Sequence, residues 1–227
     1  MTNNDPTDSI SFMTQPTEQE QFWAGDFGQQ YTDRNTRDRA EWDAFYKECW
    51  GLTKTEMNAS FLGDLPRDAR ILEVGANTGM QLRGLQDMGF TNLYGVELQA
   101  YAVEKSKQQT QYINLIQGSG FELPFRDNYF DVVCTNGVLI HIAPADLPRI
   151  MSEMVRCSKR FIWGFEYYNE QLTTVPYRGN EGFLWKADYA ALFQQQFPEL
   201  KLVKQTLYPY INAAESGNRD VMYLLEK

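Results

Sequence analysis

The stretch ILEVGANTGMQL, residues 71–82, runs three apolar residues and one carboxylate, Glu73, into two glycines, Gly75 and Gly79, and then into an apolar, helix-forming segment. A β-prone run that ends on a glycine turn and opens a helix is the first half of a βαβ unit. The same alternation continues outward. Short β-prone runs at 71–74, 93–96, 113–116, 129–135 and 161–165 alternate with helical segments at 80–88, 100–108, 145–157 and 186–197. Strands alternating with helices predict right-handed crossovers and a parallel sheet covered on both faces, a Rossmann-like, doubly wound α/β fold. The tail departs from this rhythm. KLVKQTLYPY and RDVMYLLEK are two strand-like runs with only INAAESGN between them, which predicts a terminal hairpin and one antiparallel strand in a mostly parallel, seven-stranded sheet.

Upstream of the sheet, apolar residues recur at helical spacing from Thr17 to Leu65: Phe22 and Trp23, then Trp42, Phe45, Tyr46, Cys49 and Trp50, then Met57, Phe61 and Leu62. This predicts two or three helices, with Gly25 and Gly28 breaking the first from the rest. Residues 1–16 are polar and read as a flexible segment. The organisation expected is that segment, an N-terminal helical lid or appendage over 17–65, and a single core over 66–227.

At 227 residues there is material for one sizeable core. The net charge of −9 opposes phosphate backbones and anionic lipid, so nucleic acid and membrane are excluded as partners in favour of a small molecule. No apolar run approaches the ~18–20 residues of a membrane span, and the polar, acidic N-terminus is unlike a signal peptide, so a cytoplasmic location is expected. Three dispersed cysteines without a CxxC pair and a single histidine argue against a metal site or a disulfide framework. The oligomeric state is not legible.

In an open parallel sheet, ligands bind beyond the carboxyl ends of the strands, where the strand order reverses. Gly75 permits a sharp turn there, Gly79 permits a close approach, and the N–H groups of the starting helix face the crevice. A pyrophosphate site wants GxGxxG, but this turn has Asn77 and Met80 in place of two of those glycines. Glu73 adds a negative charge that repels a diphosphate and suits a cation or ammonium. About twenty residues further on, NLYGVELQ ends on Glu97, whose carboxylate can accept both ribose hydroxyls. The expected ligand has nucleoside and amino-acid parts and no phosphate.

LEVGANTG (72–79), GVEL (95–98), GSGFELPFRDNYFDVV (118–133) and TNGVLIHI (135–142) resemble, in order, the successive motifs of class I S-adenosylmethionine-dependent methyltransferases. The resemblance implies S-adenosylmethionine as cofactor, with S-adenosylhomocysteine as product. It implies Glu73, Gly75, Ala76, Asn77 and Gly79 around the methionine part, Glu97 on the ribose, and Leu98 beside the adenine. Ser119 and Gly120 approach the adenine edge, where the family often has aspartate, while Asn136 and Gly137 close the end of the fourth strand near the sulfonium. FWAGDFGQQYTDRN (22–35) and the stretch from Glu166 to Phe193 are similar to methylases associated with pseudaminic acid biosynthesis, which implies a sugar, nonulosonic acid or nucleotide-sugar acceptor.

Residues expected to hang over the carboxyl edge complete the list. His141 is a candidate base because an imidazole titrates near neutrality. Glu166 and Tyr167 follow the fifth strand as further catalytic candidates. Tyr168, Tyr177 and Arg178 are candidates for the acceptor, Arg178 as a fork for a carboxylate. Trp23 and Tyr31 are expected to pack over the cofactor, with Arg34 or Asn35 reaching its carboxylate. Tyr101 and Lys105 match the YxxxK pair of short-chain dehydrogenases but follow the second strand, too early for that role, and read as a surface i, i+4 pair. The activity expected is methyl transfer to a small-molecule hydroxyl. The alternatives are a nicotinamide-dependent oxidoreductase on a similar sheet and a catalytically silent cofactor-binding subunit.

Overall fold

The computed structural model describes residues 15–212 and 217–227, so most of the polar N-terminal segment and the middle of the last connection lie outside the described residues. Four helices precede the sheet: α1 (Glu18–Ala24), α2 (Asp26–Asn35), α3 (Arg39–Trp50) and α4 (Lys54–Leu62). Three of them begin on reciprocal capping boxes, Thr17 with Glu20, Asp38 with Glu41 and Thr53 with Glu56. Each box satisfies backbone donors that a first helical turn leaves over. Gly25 separates α1 from α2, but Gly28 lies inside α2 and breaks nothing. It lets α2 close on α1, since a Cβ there would stand 1.8 Å from the Trp23 carbonyl oxygen.

The strands follow as β1 (Arg70–Val74), β2 (Asn92–Glu97), β3 (Ile113–Gln117), β4 (Phe130–Asn136) and β5 (Ser158–Tyr167). A small ladder of β6 (Thr173–Thr174) and β7 (Trp185–Lys186) precedes the final pair, β8 (Lys201–Pro209) and β9 (Arg219–Glu226). The helices between them are α5 (Met80–Asp87), α6 (Ala100–Gln109), α7 (Leu147–Cys157) and α8 (Tyr189–Gln196). The seven-stranded sheet has the order β3-β2-β1-β4-β5-β9-β8. β1 to β5 run parallel, and β9 is antiparallel to both of its neighbours. The doubly wound, mostly parallel sheet with its terminal hairpin therefore forms as the periodicity predicts. The last helix starts three residues later than expected because Asp188 caps it, accepting from the Ala191 N–H at 3.0 Å, while Trp185 and Lys186 pair with β6.

Two apolar layers sandwich the sheet. One collects Ile150, Met151 and Met154 of α7, Tyr189 and Phe193 of α8, and Leu72, Val74 and Val133 of the strands. The other collects Trp42, Tyr46 and Trp50 of α3, Met57 and Phe61 of α4, and Leu82 and Leu85 of α5. The segment over 17–65 is thus divided by its packing: α3 and α4 share a core layer with α5, whereas α1 and α2 lie across the carboxyl edge of the sheet.

β5 meets β9 closely at Gly164, which pairs with Tyr223. A Cβ at 164 would stand 2.3 Å from the Tyr223 ring, and Tyr223 is fully buried. Gly164→Ala is expected to destabilise the protein by roughly 1–3 kcal/mol or more through overpacking, measured as a lower midpoint in chemical denaturation with an unchanged slope.

Candidate active site

The strand order reverses between β1 and β4, and a cavity of about 430 Å³ opens there beyond the strand ends. That volume falls among small-molecule sites, ~300–1,000 Å³. Its walls come from the tips of β1, β2, β4 and β5, from α1, α2 and α3, and from the start of β9.

The turn after β1 is closed on itself. Gly75 and Gly79 adopt left-handed conformations, φ 75° and 81°, and Asn77 does so at 47°, a position that asparagine tolerates better than other side chains. The N–H groups of Gly75 and Ala76 both donate to the Val96 carbonyl, that of Asn77 to Glu97, that of Thr78 to Asn77 Oδ1, and that of Gly79 to the Ala76 carbonyl. The turn itself therefore offers no row of free donors for a diphosphate. Gly79 also faces away from the cavity, toward Thr110 and Leu115, while Glu73, Gly75, Ala76 and Asn77 line it.

Glu97 divides its carboxylate between two backbone donors, Asn77 N–H on Oε2 and Gln99 N–H on Oε1, each at 2.7 Å. Burial nevertheless pushes its pKa up, outweighing those bonds. Glu73 is buried with Oε2 unpartnered and lines the same cavity, and burial raises its pKa well above the usual range. An orphaned, desolvated oxygen of this kind fits a ligand that brings its own donor or positive charge, as an amino-acid ammonium does.

α1 and α2 are tied across this edge at several points. The Gln99 side-chain amide donates to the Trp23, Ala24 and Gly25 carbonyls at 3.3, 2.9 and 2.9 Å, clasping the end of α1. Asn77 Nδ2 donates to Thr32 Oγ1 at 3.1 Å, and Ser119 Oγ donates to Glu20 Oε1 at 2.5 Å. Tyr101 and Lys105 both bond Asp33 of α2, so the YxxxK pair ties α6 to α2 and lies outside the cavity lining. Trp23 and Tyr31 line the cavity, with Leu98, Ser119, Gly120, Asn136 and Gly137. Arg34 does not: its guanidinium lies 5.6 Å from the Phe27 ring centroid, and Asn35 and Arg37 take its place in the wall.

Much of the cavity wall is aromatic. Tyr46, Trp50, Phe165, Tyr167, Tyr177 and Tyr210 line the cavity together with Asp220 and His141. His141 sits between Trp23 and Tyr177, with ring centroids 4.5 and 4.9 Å away, and its Nδ1 is 2.7 Å from the Phe183 carbonyl oxygen. That oxygen only accepts, so Nδ1 carries the proton. Burial lowers the His141 pKa to about 4, which leaves the ring neutral and weakly basic. Two expectations fail here. Glu166 is fully buried behind the wall, accepting from the Val138 and Ile140 N–H groups at 3.2 and 3.4 Å, so it shapes the connection after β4 instead of facing substrate. Tyr168 turns away beneath the Arg219 guanidinium, 4.9 Å from its ring. Arg178 lines the rim in a left-handed conformation, φ 49°.

Sequence reasoning missed Glu20, Arg37, Lys54, Gln99 and Asp220. Gln99 and Asp220 carry no motif, and their roles arise from pairings across 74–76 residues and from register between β5 and β9. Glu20 closes the capping box of α1, and its contact with Ser119 spans 99 residues.

Residues 72–160 match the methyltransferase domain family. No curated protein is significantly similar. Among solved structures, the PH0226 protein of Pyrococcus horikoshii is similar at 15% identity and TM-score 0.63, over 86% of this chain and 94% of that one. A chain of the Haloferax volcanii complex between the Trm112 methyltransferase activator and a methyltransferase aligns at 16% identity and TM-score 0.61, over 94% and 99%. A SAM-dependent methyltransferase of Methanosarcina mazei aligns at 14% and 0.58, over 73% and 95%. Residues 72–160 thus match a methyltransferase domain, and the sheet around them has the fold of solved S-adenosylmethionine-dependent methyltransferases.

Proposed function

We propose that the chain methylates a hydroxyl group of a small sugar or sugar acid held against the aromatic wall of the cavity. The observation that carries this reading is a cavity lined both by Glu97 and Glu73, at a turn whose own donors are spent, and by aromatic faces with a further carboxylate, Asp220. Flat rings suit the apolar faces of a sugar. Arg178 at the rim suits a carboxylate on a sugar acid. The flanking stretches similar to pseudaminic-acid-associated methylases support the same acceptor class.

Bound S-adenosylmethionine supplies an electrophilic methyl group. The residues around it have to align a nucleophile and exclude water, and such orientation contributes up to ~7–11 kcal/mol. α1 and α2, clasped by Gln99 and Asn77, cover the edge and keep water out. Glu97 holds the ribose and Glu20, bonded to Ser119, stands at the adenine edge where the family often has aspartate. Asp220 takes the hydroxyl proton. It is buried and accepts from the Tyr210 hydroxyl at 3.2 Å, and burial raises its pKa above that of an ordinary aspartate, so that once ionised it is a stronger base than an exposed carboxylate. Tyr167, opposite Asp220 across β5 and β9, orients the acceptor.

Calorimetric titration with S-adenosylhomocysteine tests the cofactor half. Glu97→Ala is expected to weaken binding by roughly 10- to 100-fold, the cost of losing charge-assisted hydrogen bonds, and undiminished affinity removes the ribose assignment. A screen of sugars and sugar acids with a labelled methyl donor tests the acceptor half. Asp220→Asn is expected to slow transfer by ~100-fold or more with cofactor affinity held within about two-fold, whereas His141→Gln should cost less than about ten-fold. Cofactor binding without transfer to any compound favours the silent cofactor-binding module instead.

A further inference from the structure

Lys54 is the first residue of α4, and its side chain is fully buried, 0% exposed. Its Nζ donates to Asn136 Oδ1 at 2.7 Å and lies 3.7 Å from the centroid of the Phe165 ring and 4.8 Å from that of Tyr46. No carboxylate among the described residues comes within ion-pair distance of it. Because lysine only donates, the Asn136 amide is fixed with its oxygen toward Lys54, and its NH2 is left for the Tyr46 hydroxyl and the cavity. Asn136, Tyr46 and Phe165 all line the cavity, so the ammonium stands one side chain behind its wall.

We infer that Lys54 makes this site sense the charge on its ligand, opposing the cationic sulfur of S-adenosylmethionine and leaving the neutral sulfur of S-adenosylhomocysteine unaffected. The inference rests on the cofactor reading above. Sulfur joins the ribose to the amino-acid chain. Glu97, Glu73 and Asn136 line the one cavity that would hold those two parts, and Glu73 is the acid that acts most strongly on Lys54. A buried like charge there raises the free energy of the methyl donor more than that of the product, and the repulsion fades as the methyl group leaves.

The groups facing Lys54 come from four strands and one helix: Glu73 on β1, Cys134 on β4, Glu166 on β5, Asp220 on β9 and Tyr46 on α3. The acids favour its charged form, but burial is the larger effect and brings its pKa down to about 7. By linkage, Lys54 must release its proton more readily when the sulfonium is bound, and the donor must bind better, relative to product, once Lys54 is neutral.

The test uses the whole chain with both compounds. Calorimetry between pH 6 and 8.5 is expected to show the affinity ratio of S-adenosylmethionine to S-adenosylhomocysteine rising by on the order of ten-fold. That is the factor for two unit charges about 10 Å apart at an effective dielectric of about 20. The amino-acid group common to both ligands cancels from the ratio. In Lys54→Met the ratio is expected to be flat and equal to the high-pH value of the wild type. NMR of the protein labelled at lysine Cε gives a second reading without a variant: the Lys54 pKa is expected to be lower in the S-adenosylmethionine complex than in the S-adenosylhomocysteine complex. A flat ratio in the wild type, a pH response that persists in Lys54→Met, or identical Lys54 titrations in the two complexes overturns the inference. Failure of the wild type to bind either compound overturns the cofactor reading itself, and this inference with it.

Discussion

The two hydrogen bonds that Glu97 accepts at the tip of β2 hold the rest of the site in place. One fixes the turn after β1 through Asn77, and the other fixes Gln99, whose side chain holds the end of α1. A carboxylate in this position is costly to bury, and the two backbone donors make it tolerable without a cation beside it. The edge of the sheet, the turn and the covering helices therefore share one anchor. Other bonds, from Asn77 to Thr32 and from Ser119 to Glu20, reinforce that anchor.

Those layers explain why so much of the fold was legible. The inner strands of the parallel half, β1, β4 and β5, read as short β-prone runs because both their faces are buried, and the helices between the strands show the longer period. The strand ends moved by only a few residues. The site was legible where chemistry and backbone conformation coincide, at Gly75, Asn77 and Glu97. It was illegible where the side chain's meaning depends on distant pairing. Glu166 and Tyr168 sit two residues apart on or beyond β5, and nothing in their spacing says that one holds a backbone loop and the other lies under Arg219. Asp220 belongs to a strand that sequence places in a plain hairpin. Only its register opposite Tyr167 brings it to the cavity. Arg34 and Arg37 are three residues apart on or just past α2, and the stacking of Arg34 on Phe27 leaves Arg37 in the wall.

The electrostatics of the carboxyl edge are unusual in their sign. Glu73, Glu166 and Asp220 are buried within reach of one buried ammonium, and burial raises the pKa of each acid while lowering that of Lys54. All four shifts favour neutral forms, which is the response of groups held in a poorly solvated interior without close ion pairs. The region is poised near charge neutrality, and its total charge depends on what enters the cavity.

That ammonium comes from α4, outside residues 72–160, and Asp220 comes from beyond their other end. A fragment trimmed to the recognisable module would expose the face of β1 and β4 that Tyr46, Met57 and Phe61 now cover. It would also part the counter-charges from their partners. Two chains can therefore share this module closely and still differ in the chemistry they permit, since the sequence on either side writes the polarity of the chamber into which the module opens.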